Sequence, residues 1–219
     1  MSYREELTER EKPIWDEACA LFEEMLSDFN SKNLLRKGII RMDRERLKLI
    51  WENSRNYGMA FNEIQKKFES EETFKKFASN ASLTPQTLTY LFISQMIGTL
   101  LVYFESVFKT SLLFFLEEEE GITKKMTLGQ LLRQIKEISP SIGTRLERMI
   151  DTKLRNALAH GTFWFMEGGR VFLATNSYLE EVEEITLMEF WIEVRKMSII
   201  GIAFINTLHR KIEEGYFKL

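Results

Sequence analysis

A mostly helical fold follows from three features of this chain. Only 3 Pro and 11 Gly interrupt 219 residues, apolar residues recur at helical spacing over most of the length, and Ser, Thr or Pro stand where several of those runs begin. The exception is a pair of aromatic runs around Gly168-Gly169, which read as two strands and a turn. The expected class is therefore all-α: one domain over 1–219, made of a helical bundle over 82–219, an added N-terminal helical segment over 1–80, and a small β-hairpin near 162–175. Hydrophobic residues at 44% and charged residues at 29% describe an ordinary globule long enough to bury a sizeable core.

From about Ser2 to Asn80 the pattern gives two or three amphipathic helices that buttress the rest. Ile14, Ala18, Leu21, Phe22, Met25 and Phe29 share one face, as do Leu47, Ile50 and Trp51. Ser82-Leu83-Thr84-Pro85 is a helix start, with a hydroxyl cap and Pro in the first turn, and a long helix follows to about Leu116. No charge occurs between Phe77 and Phe104, so a membrane span has to be weighed. Against it stands a stripe of Ser94, Gln95, Gly98, Thr99, Glu105, Ser106, Lys109 and Thr110, which gives the helix a polar side facing a site or a partner helix.

Glu117 to Glu120 reads as a solvated helix end closed by Gly121. Thr127 caps a short helix through Ile138, and Ser139-Pro140-Ser141 breaks the chain before a helix from Ile142 to His160, stopped by Gly161. Thr162 to Met166 and Val171 to Thr175 form the hairpin, Ser177 to Glu184 is an acidic connector, and Thr186 caps a last helix to about Glu214. Leu187, Phe190, Trp191, Val194, Met197 and Phe204 make that helix a core element.

The net charge of −3 argues against a protein coated in basic residues for general nucleic-acid binding. The charge is nevertheless uneven, because Lys124 to Arg155 holds eight Lys and Arg against three Asp and Glu. A basic segment in an acidic chain fits one confined anion site. The lone cysteine, Cys19, can neither close an internal disulfide nor build a thiolate metal centre, and no charged leader with an apolar run opens the chain, so a reducing cytoplasm is expected. There is no phosphate-cradling Gly-rich loop, metalloprotease histidine pair or nucleophile elbow, and neither a metal nor another cofactor is expected.

Projected as one helix, Ile142 to His160 gathers Leu146, Ile150, Leu154, Ala157 and Leu158 on a core face. Opposite lie Arg145, Arg148, Thr152, Arg155, Asn156, Ala159 and His160, with Lys153 beside them. Such a stripe is either a solvated face or an anion site. Arg carries a planar fork of donors suited to a phosphodiester, and His titrates nearest neutrality. Carbonyls left free at a helix end favour a protonated imidazole, and a His–Arg pair can promote attack of a ribose 2′-hydroxyl on its own phosphate. His209, near the end of the last helix, reads as a surface or dipole partner.

Arg155-Asn156-Ala157-Leu158-Ala159-His160-Gly161 resembles the HEPN superfamily, whose ribonucleases carry an Arg, often followed by a polar residue such as Asn, and a His with four to six residues between the Arg and the His, here four. The resemblance runs mainly from Pro85 to the C-terminus. It implies a bundle of four or five helices that forms a homodimer, with Arg155, Asn156 and His160 facing their counterparts across a cleft that cleaves RNA without metal. It further implies a toxin or antiviral effector, in some cases held by an antitoxin or other regulatory protein. Arg145, Arg148, Thr152 and Lys153 then contact RNA, and Glu105 orients the motif as the acidic residue of an earlier helix does in some members; its alternative is a surface pair with Lys109. In members silenced by a nucleotidyltransferase a Tyr stands two residues after the His, where this chain has Thr162. The other reading is a HEPN-like module that binds RNA, nucleotide or protein without cleaving.

Overall fold

A computed structural model describes residues 3–36, 41–67, 71–116, 126–166, 170–174 and 182–216. The chain is mostly helical, with a small three-stranded antiparallel sheet. After a single 3₁₀ turn at Tyr3–Glu6 come α1 (Lys12–Ser31), α2 (Arg41–Lys67), α3 (Glu71–Asn80) and α4 (Pro85–Leu101). A π-helical segment, Val102–Lys109, continues α4 into α5 (Thr110–Phe115). Then follow α6 (Leu128–Ile138), α7 (Pro140–Met149), α8 (Thr152–His160), β1 (Phe163–Met166), β2 (Arg170–Ala174), β3 (Val182–Thr186) and α9 (Leu187–Glu213).

The caps expected from sequence are in place. Thr84 accepts from the Thr87 N–H at 3.1 Å to open α4. Thr127 with Gln130, and Thr186 with Glu189, form reciprocal capping boxes that satisfy two orphan donors each. The acidic run Glu117–Glu120 and the turn at Gly168-Gly169 lie outside the described residues.

One core runs from Leu7 to Leu208. Its centre is an aromatic cluster in which Phe22 of α1, Phe108 of the π segment and Phe204 of α9 meet at ring separations of 4.8–5.8 Å. The helix α1 packs along α9 and shares this core, with Trp15, Leu21, Phe22, Met25, Leu26 and Phe29 buried. Gln86–Phe115 is long and apolar enough to cross a membrane by length and composition, and 47% of its most apolar window is buried inside the protein. Phe104, Val107, Phe108 and Leu112 carry that burial.

Three expectations are corrected. The helix expected over 142–160 is two helices, because Ile150 is extended (φ −96, ψ 108) and the Asp151 carboxylate accepts from the Leu154 N–H at 2.9 Å as the cap of a new helix. The uniform helix to Leu116 contains the π segment, whose wider turns shift the facing of each residue after Val102. The acidic connector contributes β3, which pairs with β2 from Arg170↔Thr186 to Ala174↔Val182, so the hairpin is extended into a sheet.

Candidate functional site

Within α8 the core face is as expected, with Leu154, Ala157 and Leu158 buried beside Leu146 and Ile150. The helix ends at Gly161, whose φ of 66 lies in the left-handed region that glycine enters without a Cβ clash. The Thr162 N–H reaches back to the Ala157 carbonyl at 2.9 Å, the six-residue bond of a helix stop. Thr162 also fixes the helix end to the sheet: its carbonyl accepts from the Ala174 N–H at 2.8 Å, and its hydroxyl donates to the Ala174 carbonyl at 3.0 Å. Thr162 is therefore a structural joint between the end of α8 and the sheet.

The two ends of the motif differ in environment. Arg155 points inward, with 11% of its side chain exposed, and pairs through Nη2 with Glu105 of the π segment. Its Nη1 donates to Asn156 Oδ1 at 2.5 Å, and its buried Nε has no hydrogen-bond partner. Glu105 also accepts from Lys109 Nζ at 2.6 Å, both side chains being 23% exposed. Glu105 thus holds two cations, joining the pair with Lys109 to an orienting contact on Arg155. Burial pushes the Arg155 and Lys109 pKa values down, since a charged group is disfavoured away from water.

His160 is the opposite case. Its ring is exposed, as is neighbouring Ala159, and it makes no hydrogen bond or ion pair among the described residues. The chain therefore presents a capped helix end carrying an exposed imidazole with no hydrogen-bond or ion-pair partner among the described residues, one turn beyond a part-buried Arg–Asn pair held by Glu105.

The remaining basic residues divide. Lys153 and Arg148 are exposed without a partner among the described residues, whereas Arg145 on α7 is tied to Glu24 of α1 and does not belong to the α8 surface. The break at Asp151 is the reason, because it separates the face of α7 from that of α8. The Thr152 side chain, Lys124 and Lys125 lie outside the described residues. Lys109, which the sequence offered as the alternative partner of Glu105 at a spacing of four, is present beside that carboxylate together with Arg155, so the two readings of Glu105 do not exclude each other.

On the sheet, Phe163 and Phe165 turn inward with Val171 and Leu173, and Phe165 packs on Phe190 of α9 at 5.7 Å and Tyr90 of α4 at 5.9 Å. On the other face Trp164 stacks on its cross-strand partner Phe172 at 5.5 Å, with Arg170 5.9 Å from the Phe172 ring and 3.7 Å from Glu184. His209 is remote from α8 in its contacts, its ring lying 4.8 Å from that of Trp51. Among the described residues no three His, Cys, Asp or Glu side chains cluster as metal ligands. Compared with known proteins, the chain matches no family model, no curated protein and no solved structure.

Proposed function

We propose that this protein is a metal-independent endoribonuclease of HEPN type, working as a homodimer in the cytoplasm and serving as a toxin or antiviral effector. The observation that carries the reading is the free His160 at a rigidly capped helix end, directly beyond an Arg155–Asn156 pair anchored by Glu105. An exposed imidazole with no structural duty is available for proton transfer. In the proposed reaction a His160 takes the proton of the ribose 2′-hydroxyl. The oxygen attacks the adjacent phosphorus, a second His160 protonates the departing 5′-oxygen, and a cyclic phosphate remains.

One protomer offers one free imidazole for these two proton transfers, since His209 is engaged with Trp51. Pairing two copies of α8, with exposed Ala159 permitting close approach, supplies both. Arg155 sets a positive potential beside the phosphate. Lys153, on α8 itself, extends that potential along the RNA backbone.

A second reading is favoured by a specific observation. Arg155 is almost enclosed and its guanidinium already serves Glu105 and Asn156, as suits a structural strut in a module that binds RNA or a regulatory protein without cleaving. The two readings separate in one assay: mixed RNAs incubated with the purified protein in EDTA, beside His160→Ala and Arg155→Ala. The enzyme reading expects cleavage with cyclic-phosphate ends, lost in both variants, and a dimer by light scattering. Inert wild-type protein that binds RNA tightly refutes it in favour of the second.

A further inference from the structure

A cleft of about 470 Å³ opens between α2 and α9, among residues that the proposed ribonuclease site does not use. Its volume falls within the range of pockets that enclose a small organic ligand, and its surface is mostly apolar. On one side stands Trp51 of α2, whose Nε1–H donates to Ser111 Oγ at 3.2 Å and so fixes the indole plane. His209 of α9 lies against it at 4.8 Å with a 46° tilt, and Ile202 and Ile205 continue the α9 wall. Tyr103, only 4% exposed, closes the bottom. Burial pushes its phenol pKa up, so it remains an O–H donor.

The mouth differs in character. Lys48, Glu52 and Arg55 occupy successive turns of α2 along it. With Lys48 engaged by Glu45 at 3.6 Å, exposed Arg55 is the cation at the mouth with no ion-pair partner among the described residues, and the carboxylate of Glu52 stands one turn away. That balance suits one anionic group and opposes a polyphosphate, while Glu52 can accept a ring N–H or an exocyclic amine.

From this arrangement we infer that the α2–α9 cleft binds a planar aromatic small molecule bearing one anionic group, its ring against Trp51 and His209 and its anion at Arg55. A nucleoside monophosphate and an aromatic carboxylate share this chemistry. The ring supplies stacking and apolar burial, and the guanidinium offers the anion a forked pair of donors.

The test uses the full chain and isothermal titration with AMP, UMP and indole-3-acetate, beside adenosine, ribose 5-phosphate and ATP. Saturable binding of at least one ring-bearing anion is expected below about 1 mM. Adenosine and ribose 5-phosphate, which each carry half of the recognised chemistry, bind at least about tenfold more weakly, and ATP no better than AMP. Nucleotide against indole-3-acetate affinities assign the source of the ligand. Arg55→Glu, a surface change checked for folding by circular dichroism, weakens binding about tenfold or more, whereas His160→Ala leaves it unchanged. Ile205→Trp, which fills the slot, abolishes it. Absence of binding by every ring-bearing anion at about 1 mM overturns the inference, as does equal binding by Arg55→Glu or by ribose 5-phosphate. None of these outcomes depends on RNA cleavage.

Discussion

Replacing Glu105 by Gln tests the anchor beneath the candidate site with little change of shape. The carboxylate serves Lys109 at 2.6 Å and Arg155 at once, at side-chain exposures of 23% for Glu105 and Lys109 and 11% for Arg155. Exposed pairs contribute about 0–1 kcal/mol, whereas removing one partner of a fully buried pair costs about 3–5 kcal/mol. At these exposures, with two cations left facing a neutral amide, a cost of about 2–3 kcal/mol is expected. For a chain of 219 residues that lowers the melting temperature by about 4–12 °C.

The charge argument can be isolated from the loss of a contact. In wild type, Lys109→Met removes one of two partners from Glu105 and costs little, because Arg155 still neutralises the carboxylate. In the Glu105→Gln background the same change removes an uncompensated cation and becomes neutral or stabilising. Thermal unfolding followed by far-ultraviolet circular dichroism on the four proteins gives the coupling energy, expected near 1 kcal/mol. A Glu105→Gln protein melting within about 1 °C of wild type refutes the anchor, as does an equal cost of Lys109→Met in both backgrounds.

Gly201→Ala probes the seat of the π segment, where an added Cβ would stand 2.7 Å from Tyr103 Cβ. Alanine brings about 1 kcal/mol of helix propensity and the overlap costs about 1–3 kcal/mol, so urea unfolding should show a net loss; a gain would mean that the segment yields freely. His209 predicts an acid sensitivity. Burial lowers its folded pKa despite the opposing Glu213 carboxylate, so on acidification the unfolded chain takes the proton first. Its contribution is complete above the unfolded value near 6.5 and is lost as pH falls toward the lower folded value, giving a melting temperature that declines as pH drops below about 6.5. His209→Gln should flatten that decline, and an unchanged slope would assign it to other groups.

What could be read from the sequence follows the range of the interaction that determines it. The caps at Thr84, Thr127 and Thr186 and the stop at Gly161 depend on neighbours within a few residues, and each was legible. The break at Asp151 was not, because Leu146, Ile150 and Leu154 keep a spacing of four straight through it and periodicity does not register a change of axis. Strand β3 was hidden for another reason. As an edge strand carrying Glu183 and Glu184 it has only Ile185 packed against the core, and charged edges resist unwanted pairing while resembling a loop in composition. The Glu105–Arg155 contact spans fifty positions, so no local pattern encodes it.

The division within the motif sharpens what a ribonuclease reading requires. A lone exposed imidazole on a monomer can remove a proton or deliver one, but concerted transesterification needs both at opposite oxygens of one phosphorus. The second imidazole has to come from another copy of α8, and the rigidity of that helix end decides how well two copies can align. Asp151 at one end, Gly161 with Thr162 at the other, and Glu105 beneath Arg155 fix the helix on three sides while leaving Ala159 and His160 uncovered. A face so constrained would present the same surface in every copy of the chain, which a self-complementary two-fold contact demands. Dimer dissociation and loss of cleavage should therefore appear together when Ala159 is made large, while the pair beneath Arg155 keeps its stability.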